Sequence, residues 1–277
     1  MNSIYGVIGD PIGHSLSPVM HNEQFQQLEI AGAYHPFHVK TERLEDAING
    51  IKALQIKGVN VTIPHKVHVM KYLDEIDPLA KAIGAVNTIV NEQNKLKGYN
   101  TDGPGYVRAL TEFAQVDIKS KSILIIGAGG AARAIYYSLV SHGVKRIDIC
   151  NRTIHNANKI IEGCPFEVES SSFVLEEASG RSDQYDIIIQ TTSIGMYPDT
   201  SECAIELRSV KSGAIVSDII YNPFQTQLLK QANLLGAKTQ NGLDMFLFQG
   251  ALAFEKWTGI FPNIEQMRNT VTKHLGG

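Results

Sequence analysis

Apolar residues along the chain fall in short runs closed by glycine, proline or small polar residues, and between the runs apolar positions recur at helical spacing. In the first hundred residues this pattern predicts strands at Ile4–Ile8, Tyr34–Val39, Gly58–Thr62, Asn87–Val90 and Lys95–Tyr99. It predicts helices near Pro18–Ile30, Glu42–Leu54, His65–Leu73 and Pro78–Ile83. Asn91-Glu92-Gln93-Asn94 is polar and turn-prone, so its two flanking strands should form a hairpin in an otherwise mixed sheet. The pattern restarts at Ser122–Ile126, a buried strand running into a glycine cluster, and continues through Arg146–Cys150, Asp186–Gln190, Ile215–Ile219 and Lys238–Gln240. Strands alternating with helices are the signature of α/β folds with parallel sheets. Two such units should meet near Asp102 to Gly105, with the chain returning to the first after Gly242. The expected domains are therefore 1–103 with 243–277, and 104–242.

Composition narrows the class. Of 277 residues, 43% are hydrophobic and only 19% charged, below the ~25% of an average soluble protein, so the chain can fill a large core. Lys plus Arg is 25 against 28 for Asp plus Glu, a net charge of −3. That balance lacks the basic footprint of a nucleic-acid binder. The longest apolar runs, such as Ile123-Leu124-Ile125-Ile126, fall far short of the ~20 residues of a membrane helix, and the first ten residues lack the features of a signal peptide. Cys150, Cys164 and Cys203 are odd in number and widely spaced, which argues against a disulfide framework or a cysteine metal site. His65 and His68, like His35 and His38, are three apart without acidic or thiol companions, so no metal is expected. A cytoplasmic protein acting on small molecules, as a monomer or homodimer and without membrane or nucleic-acid partners, is the expectation.

Candidate chemistry begins at the glycine cluster. Gly127-Ala128-Gly129-Gly130-Ala131-Ala132 fits G-x-G-x-x-A. The first glycine permits a tight turn, the second lets the backbone approach a pyrophosphate, and Ala132 lets the helix pack close to the sheet. A tight strand-to-helix turn alone would also favour glycine, but here the motif follows a strand, opens a helix and leads to a second strand, as dinucleotide binding requires. The next strand ends in Asn151-Arg152-Thr153, whereas its only acid, Asp148, lies inside the strand. A guanidinium at the strand's mouth suits a ribose phosphate, which favours NADP over NAD.

Small polar groups gather just past the strand ends of the first half, where open α/β sheets bind ligands. They include Ser15 and Ser17, then Thr62 and Lys66 within Asn60-Val61-Thr62-Ile63-Pro64-His65-Lys66, then Asn87, and Asp102 after Asn100-Thr101. Ser17 before Pro18 also reads as a helix N-cap. Lys66 near a helix start opposes the helix dipole, which points to function. Leu243 to Phe254 is apolar almost all round, so that helix should be buried and its Gln249 must find partners.

Taken in order, Ser15-Leu16-Ser17-Pro18, Asn60 to Lys66, Gly84-Ala85-Val86-Asn87-Thr88, Asn100-Thr101-Asp102-Gly103, Gly127 to Ala132, Asn151-Arg152-Thr153, the stretch Asp218-Ile219-Ile220-Tyr221-Asn222-Pro223 and Gln249 resemble the shikimate dehydrogenase family from end to end. The resemblance implies an N-terminal α/β substrate domain with a mixed sheet and a Rossmann-like NADP domain, joined by helices that flank a cleft. It implies reversible NADPH-linked reduction of 3-dehydroshikimate to shikimate, within chorismate and aromatic amino acid biosynthesis. Carried over by motif, Lys66 and Asp102 are the catalytic pair. Ser15, Ser17 and Tyr221 would bind the substrate carboxylate, and Thr62, Lys66, Asn87, Asp102 and Gln249 the ring hydroxyls. Gly127, Ala128, Gly129, Gly130, Ala131, Asn151, Arg152 and Thr153 would hold the cofactor, with Ile219 and Gly242 along its nicotinamide. Two other readings are a quinate/shikimate dehydrogenase of broader substrate use and a non-catalytic NADP-binding regulator; a regulator has no need of the Lys66–Asp102 pair.

Overall fold

A computed structural model describes residues 2–275; the extreme ends of the expected first domain, 1 and 276–277, lie outside the described residues. The chain divides into two compact units, 1–101 with 247–277, and 102–246. The sequence pattern places the seams slightly differently, at 103/104 and 242/243.

In chain order, unit 1 begins with β1 (Ser3–Gly9), α1 (Ser17–Gln27), β2 (Gly32–His38), α2 (Leu44–Ala53), β3 (Gly58–Val61), β4 (Glu75–Ile76), α3 (Pro78–Ile83), β5 (Thr88–Glu92) and β6 (Lys95–Tyr99). Its sheet runs β2-β1-β3-β5-β6-β4. β1 pairs in parallel with β2 and β3, while β3/β5 and β5/β6 are antiparallel, so the sheet is mixed. The hairpin turns at Gln93 and Asn94, both at positive φ (52° and 66°), the conformation a two-residue turn needs to match strand twist. Alternation along β1 sends Tyr5 and Val7 to one apolar layer and Ile8 to the other. Leu44, Ile48 and Ile51 form the buried stripe of α2 at helical spacing.

Unit 2 continues with α4 (Asp102–Ala114), β7 (Ser122–Ile126), α5 (Gly130–His142), β8 (Arg146–Cys150), α6 (Ile154–Glu162), β9 (Ser172–Phe173), α7 (Leu175–Ala178), β10 (Ile187–Gln190), β11 (Ile215–Asp218), α8 (Gln227–Leu234) and β12 (Lys238–Gln240). Every pairing in its sheet, ordered β12-β11-β10-β7-β8-β9, is parallel. This is the doubly wound arrangement, with β7 near the middle and its Ile123 to Ile126 wholly buried. The chain then passes through α9 (Leu243–Thr258) into unit 1 and ends with α10 (Ile264–His274). Among the described residues no helix is long and apolar enough to cross a membrane.

Two local expectations fail. His65–Leu73 is not an α-helix; turns lead into a short 3-10 segment at His68–Tyr72. Lys66 O takes the Val86 N–H and the His65 ring bonds Val39 O, and after one helix-type bond, Val69 N–H to His65 O, the tighter bonds of Met70 N–H to Val67 O and Leu73 N–H to Met70 O follow. Ser17 is not the N-cap of α1 but its first residue; the cap position is Leu16, and Ser15 Oγ accepts the Ser17 N–H at 3.3 Å.

Candidate active site

In unit 1 the strand register brings the sequence candidates to one sheet edge. β1 and β3 run in parallel and end at Gly9 and Val61, while antiparallel β5 starts at Thr88 opposite Asn60, and β6 ends at Tyr99 opposite Thr88. The loop with Ser15 and Ser17, the turn with Thr62 and Lys66, Asn87, and the exit through Asn100 and Thr101 towards Asp102 therefore share that edge.

Each position is fixed by backbone bonds. Thr62 donates its N–H to Ile8 O (3.0 Å) and accepts from His65 N–H (2.9 Å), which closes the turn before Lys66. Lys66 O accepts from Val86 N–H at 2.8 Å, and the buried His65 ring donates from Nε2 to Val39 O at 2.6 Å. Lys66, Thr62, Ser15 and Gln249 are half-buried, whereas Asn87 is 3% exposed. Asn87 Oδ1 accepts the Thr101 N–H at 2.7 Å and its Nδ2 donates to Thr101 Oγ1 at 3.0 Å, so this amide locks the strand exit that leads to Asp102.

A buried polar chain behind this edge was not assigned from sequence. Tyr34 donates to Asn60 Oδ1 at 2.7 Å, Asn60 Nδ2 donates to Thr88 Oγ1 at 3.1 Å, and Thr88 donates to Asn87 Oδ1 at 3.1 Å. An amide between Val59 and Val61 in a strand was the one available signal; Tyr34 reads as ordinary core. Burial pushes the Tyr34 phenol far above its usual range, with Ser17 as a counteracting hydrogen-bond partner. His21 stacks on Tyr34 with ring centroids 4.5 Å apart, and burial pulls its imidazole down to about 3, so it stays neutral.

In unit 2 the glycine turn has the geometry its motif predicts. Gly127 sits at φ 105°, which favours glycine, and its N–H bonds Cys150 O at 2.8 Å. A Cβ added at Gly129 or Gly130 would meet no heavy atom within 4 Å. Gly129 caps α5 without a side-chain bond, and the first turn holds no acid. Open space before uncontested N–H groups fits a pyrophosphate. Ala128 and Ala131 are half-buried beside the turn, and Ala132 is fully buried.

At the mouth of β8, Arg152 and Thr153 are exposed, and Asn151 Nδ2 donates to Thr153 O at 2.9 Å. Asp148 faces elsewhere: it accepts from Ser171 N–H (2.7 Å) and Tyr185 OH (2.8 Å) inside the core. This geometry leaves a cation and two hydrogen-bonding side chains for a ribose phosphate, so the residues present fit NADP. Beyond β11, Ile219 and Tyr221 are half-buried, and Tyr221 packs against Phe246 with ring centroids 5.5 Å apart. Gly242 N–H bonds Ile220 O at 2.9 Å. Asp102 opens α4 and is half-buried. Among the described residues no cluster of three metal-ligating side chains occurs.

Three family models match in order: a shikimate dehydrogenase substrate binding domain over residues 7–89, shikimate / quinate 5-dehydrogenase over 108–219, and a shikimate 5'-dehydrogenase C-terminal domain over 242–272. The NADP(+) shikimate dehydrogenase of Bacillus cereus (strain AH187) is 57% identical over 277 residues, the whole of both chains. The chain belongs to the shikimate dehydrogenase family. Solved structures of this family agree. The Listeria monocytogenes shikimate 5-dehydrogenase, in complex with shikimate and NAD, superposes at a TM-score of 0.92 with 39% identity, covering 98% of this chain and 96% of that one. The Thermus thermophilus enzyme, in complex with NADP(H) and shikimate, gives 0.88 with 31% identity, covering 98% and 99%. The two-domain α/β fold expected of shikimate dehydrogenases, with one mixed and one parallel sheet, is the fold observed.

Proposed function

We propose that this protein catalyses the reversible NADP-linked reduction of 3-dehydroshikimate to shikimate, as its family name implies. The observation that carries the reading is identity of 57% over its whole length to a shikimate dehydrogenase (NADP(+)). The substrate domain is 1–103 with 243–277 and the NADP domain 104–242. Gly127, Ala128, Gly129, Gly130 and Ala131 hold the pyrophosphate, and Asn151, Arg152 and Thr153 the 2′-phosphate. Ile219 and Gly242 line the nicotinamide.

Substrate is a small polyhydroxylated anion, which calls for many short polar groups and little apolar wall. Ser15, Ser17 and Tyr221 take its carboxylate. Thr62, Asn87 and Gln249 take ring hydroxyls together with the catalytic pair. When bound, NADPH supplies the hydride to the carbonyl carbon at ring C3. As that happens negative charge grows on the carbonyl oxygen, and a cation or proton donor at that oxygen stabilises the transition state more than the ground state. Lys66 and Asp102 do this as one unit: Lys66 faces the reacting oxygen, and Asp102 orients it and bonds the same or the adjacent hydroxyl. A close Lys–Asp pair titrates jointly, so the proton belongs to the pair.

Steady-state NADP reduction with shikimate as substrate tests the reading. The expected result is turnover with shikimate and NADP that exceeds turnover with NAD. No turnover with either cofactor would leave an NADP-binding regulator, and faster turnover with quinate a broader dehydrogenase.

A further inference from the structure

Asp218 closes β11 and is completely buried, yet no cation among the described residues pairs with it. Its carboxylate instead accepts the Ile220 N–H at 3.0 Å and the Thr226 hydroxyl at 2.8 Å. Thr226 is also the N-cap of α8, where its Oγ1 accepts from Leu229 N–H at 3.4 Å. One side chain thus ties together the end of a central strand, the turn that follows it and the start of the next helix. The turn is the segment that carries Ile219 and Tyr221. On its far side it is held by Gly242 N–H on Ile220 O and by Tyr197 N–H on Asn222 O.

A carboxylate is an expensive group for a purely structural tie. Burial pushes the Asp218 carboxyl up to about 6 against the two hydrogen bonds that hold it down. The titratable groups facing it are the Tyr106 phenol from α4 and the Cys203 thiol from the segment before β11. Burial raises both, and the charge of Asp218 raises them further, so neither supplies a counter-charge. An ionised carboxylate offers acceptors to an N–H and an O–H at once, whereas an asparagine amide or a protonated carboxyl turns one acceptor into a donor.

We infer that Asp218 is a positioning residue for the reaction: its carboxylate fixes the turn that presents Ile219 to the nicotinamide and Tyr221 to the substrate carboxylate. This rests on the function proposed above. The adenosine end of the cofactor is held by the glycine turn and Arg152, which do not depend on Asp218. Loss of the carboxylate therefore acts on turnover more than on cofactor affinity.

The test is a pH profile of kcat for the wild type and Asp218→Asn, with NADP affinity measured separately by protein fluorescence. Well above pH 6, Asp218→Asn should lose about 10- to 100-fold in kcat while its NADP Kd moves less than ~3-fold. Wild-type kcat should fall as pH drops through about 6, and Asp218→Asn should lack that limb because its amide already mimics the protonated acid. Thr226→Val, which removes the other partner, should show the same loss, and Thr226→Ser, which keeps the hydroxyl, should restore turnover. If Asp218→Asn does not fold, the Thr226 pair decides alone. Variants with wild-type kcat and an unchanged acid limb overturn the inference while leaving the function intact. A wild type inactive on shikimate overturns the function and the inference with it.

Discussion

Lys66 owes its place to groups around it rather than to its own contacts in sequence: the Thr62 turn and Val86 N–H hold its backbone, and His65 anchors the loop to Val39. If the lysine stabilises charge on the reacting oxygen, Lys66→Ala should lower kcat by ~10²–10⁴-fold and change shikimate KM much less. Asp102→Asn should also lower kcat, and the double variant should cost less than the product of the single losses. A Lys66→Ala enzyme with normal kcat and raised KM would reduce Lys66 to a binding residue. Arg152→Ala should raise the NADP KM by ~10–150-fold, the equivalent of a ~1.5–3 kcal/mol charge-assisted bond, and leave NAD use unchanged; a variant that keeps its NADP preference would make Arg152 an ordinary surface cation. The glycine turn was legible because a tight strand-to-helix turn at positive φ favours a residue without a side chain, and Gly127 takes that φ. Asn60, Tyr34 and Asp218 were not assigned roles, because their partners lie far along the chain: Tyr34 bonds Asn60 across 26 positions.

Strands and long amphipathic helices were legible because their period is local. The exceptions had separate causes. His65–Leu73 has apolar spacing compatible with a helix, but its leading residues bond other strands and turns. Ser17 has the chemistry of a cap, but Ser15 takes that position's hydrogen bond. β4 and β9 are two residues each and carry no periodic signal. At the junction after β12, a Cβ at Gly242 would lie 1.9 Å from the Ile219 carbonyl oxygen, a backbone atom that cannot swing aside. Gly242→Ala should therefore destabilise the protein by ~1–3 kcal/mol, read as a lower urea midpoint at unchanged slope. An unaltered midpoint would show that this junction yields without cost.

Across the whole molecule, the motif order was enough to give two α/β units, because the second glycine-led strand restarts the pattern. The seams were harder to place, since α9 carries one apolar pattern through Phe246 and Leu247, where the units divide. Asp218 links the fold to pH. Its folded carboxyl stands at about 6 against 3.8 unperturbed, so the native state holds the proton more tightly than the unfolded chain. The stability this gives is fully present below about pH 4 and is lost as pH rises through about 6, up to ~3 kcal/mol in all. Urea titrations of wild type and Asp218→Asn should show the wild type losing stability relative to the variant over that window; parallel curves would contradict the shift.

Hydride transfer itself is the central claim, and isotope transfer reports it most directly. Shikimate bearing deuterium on its C3 carbinol carbon, incubated with the protein and NADP, should yield NADPH carrying the deuterium on its nicotinamide ring, detected by mass spectrometry, with one label per dehydroshikimate formed. NADPH without the label, or no NADPH at all, would contradict the account.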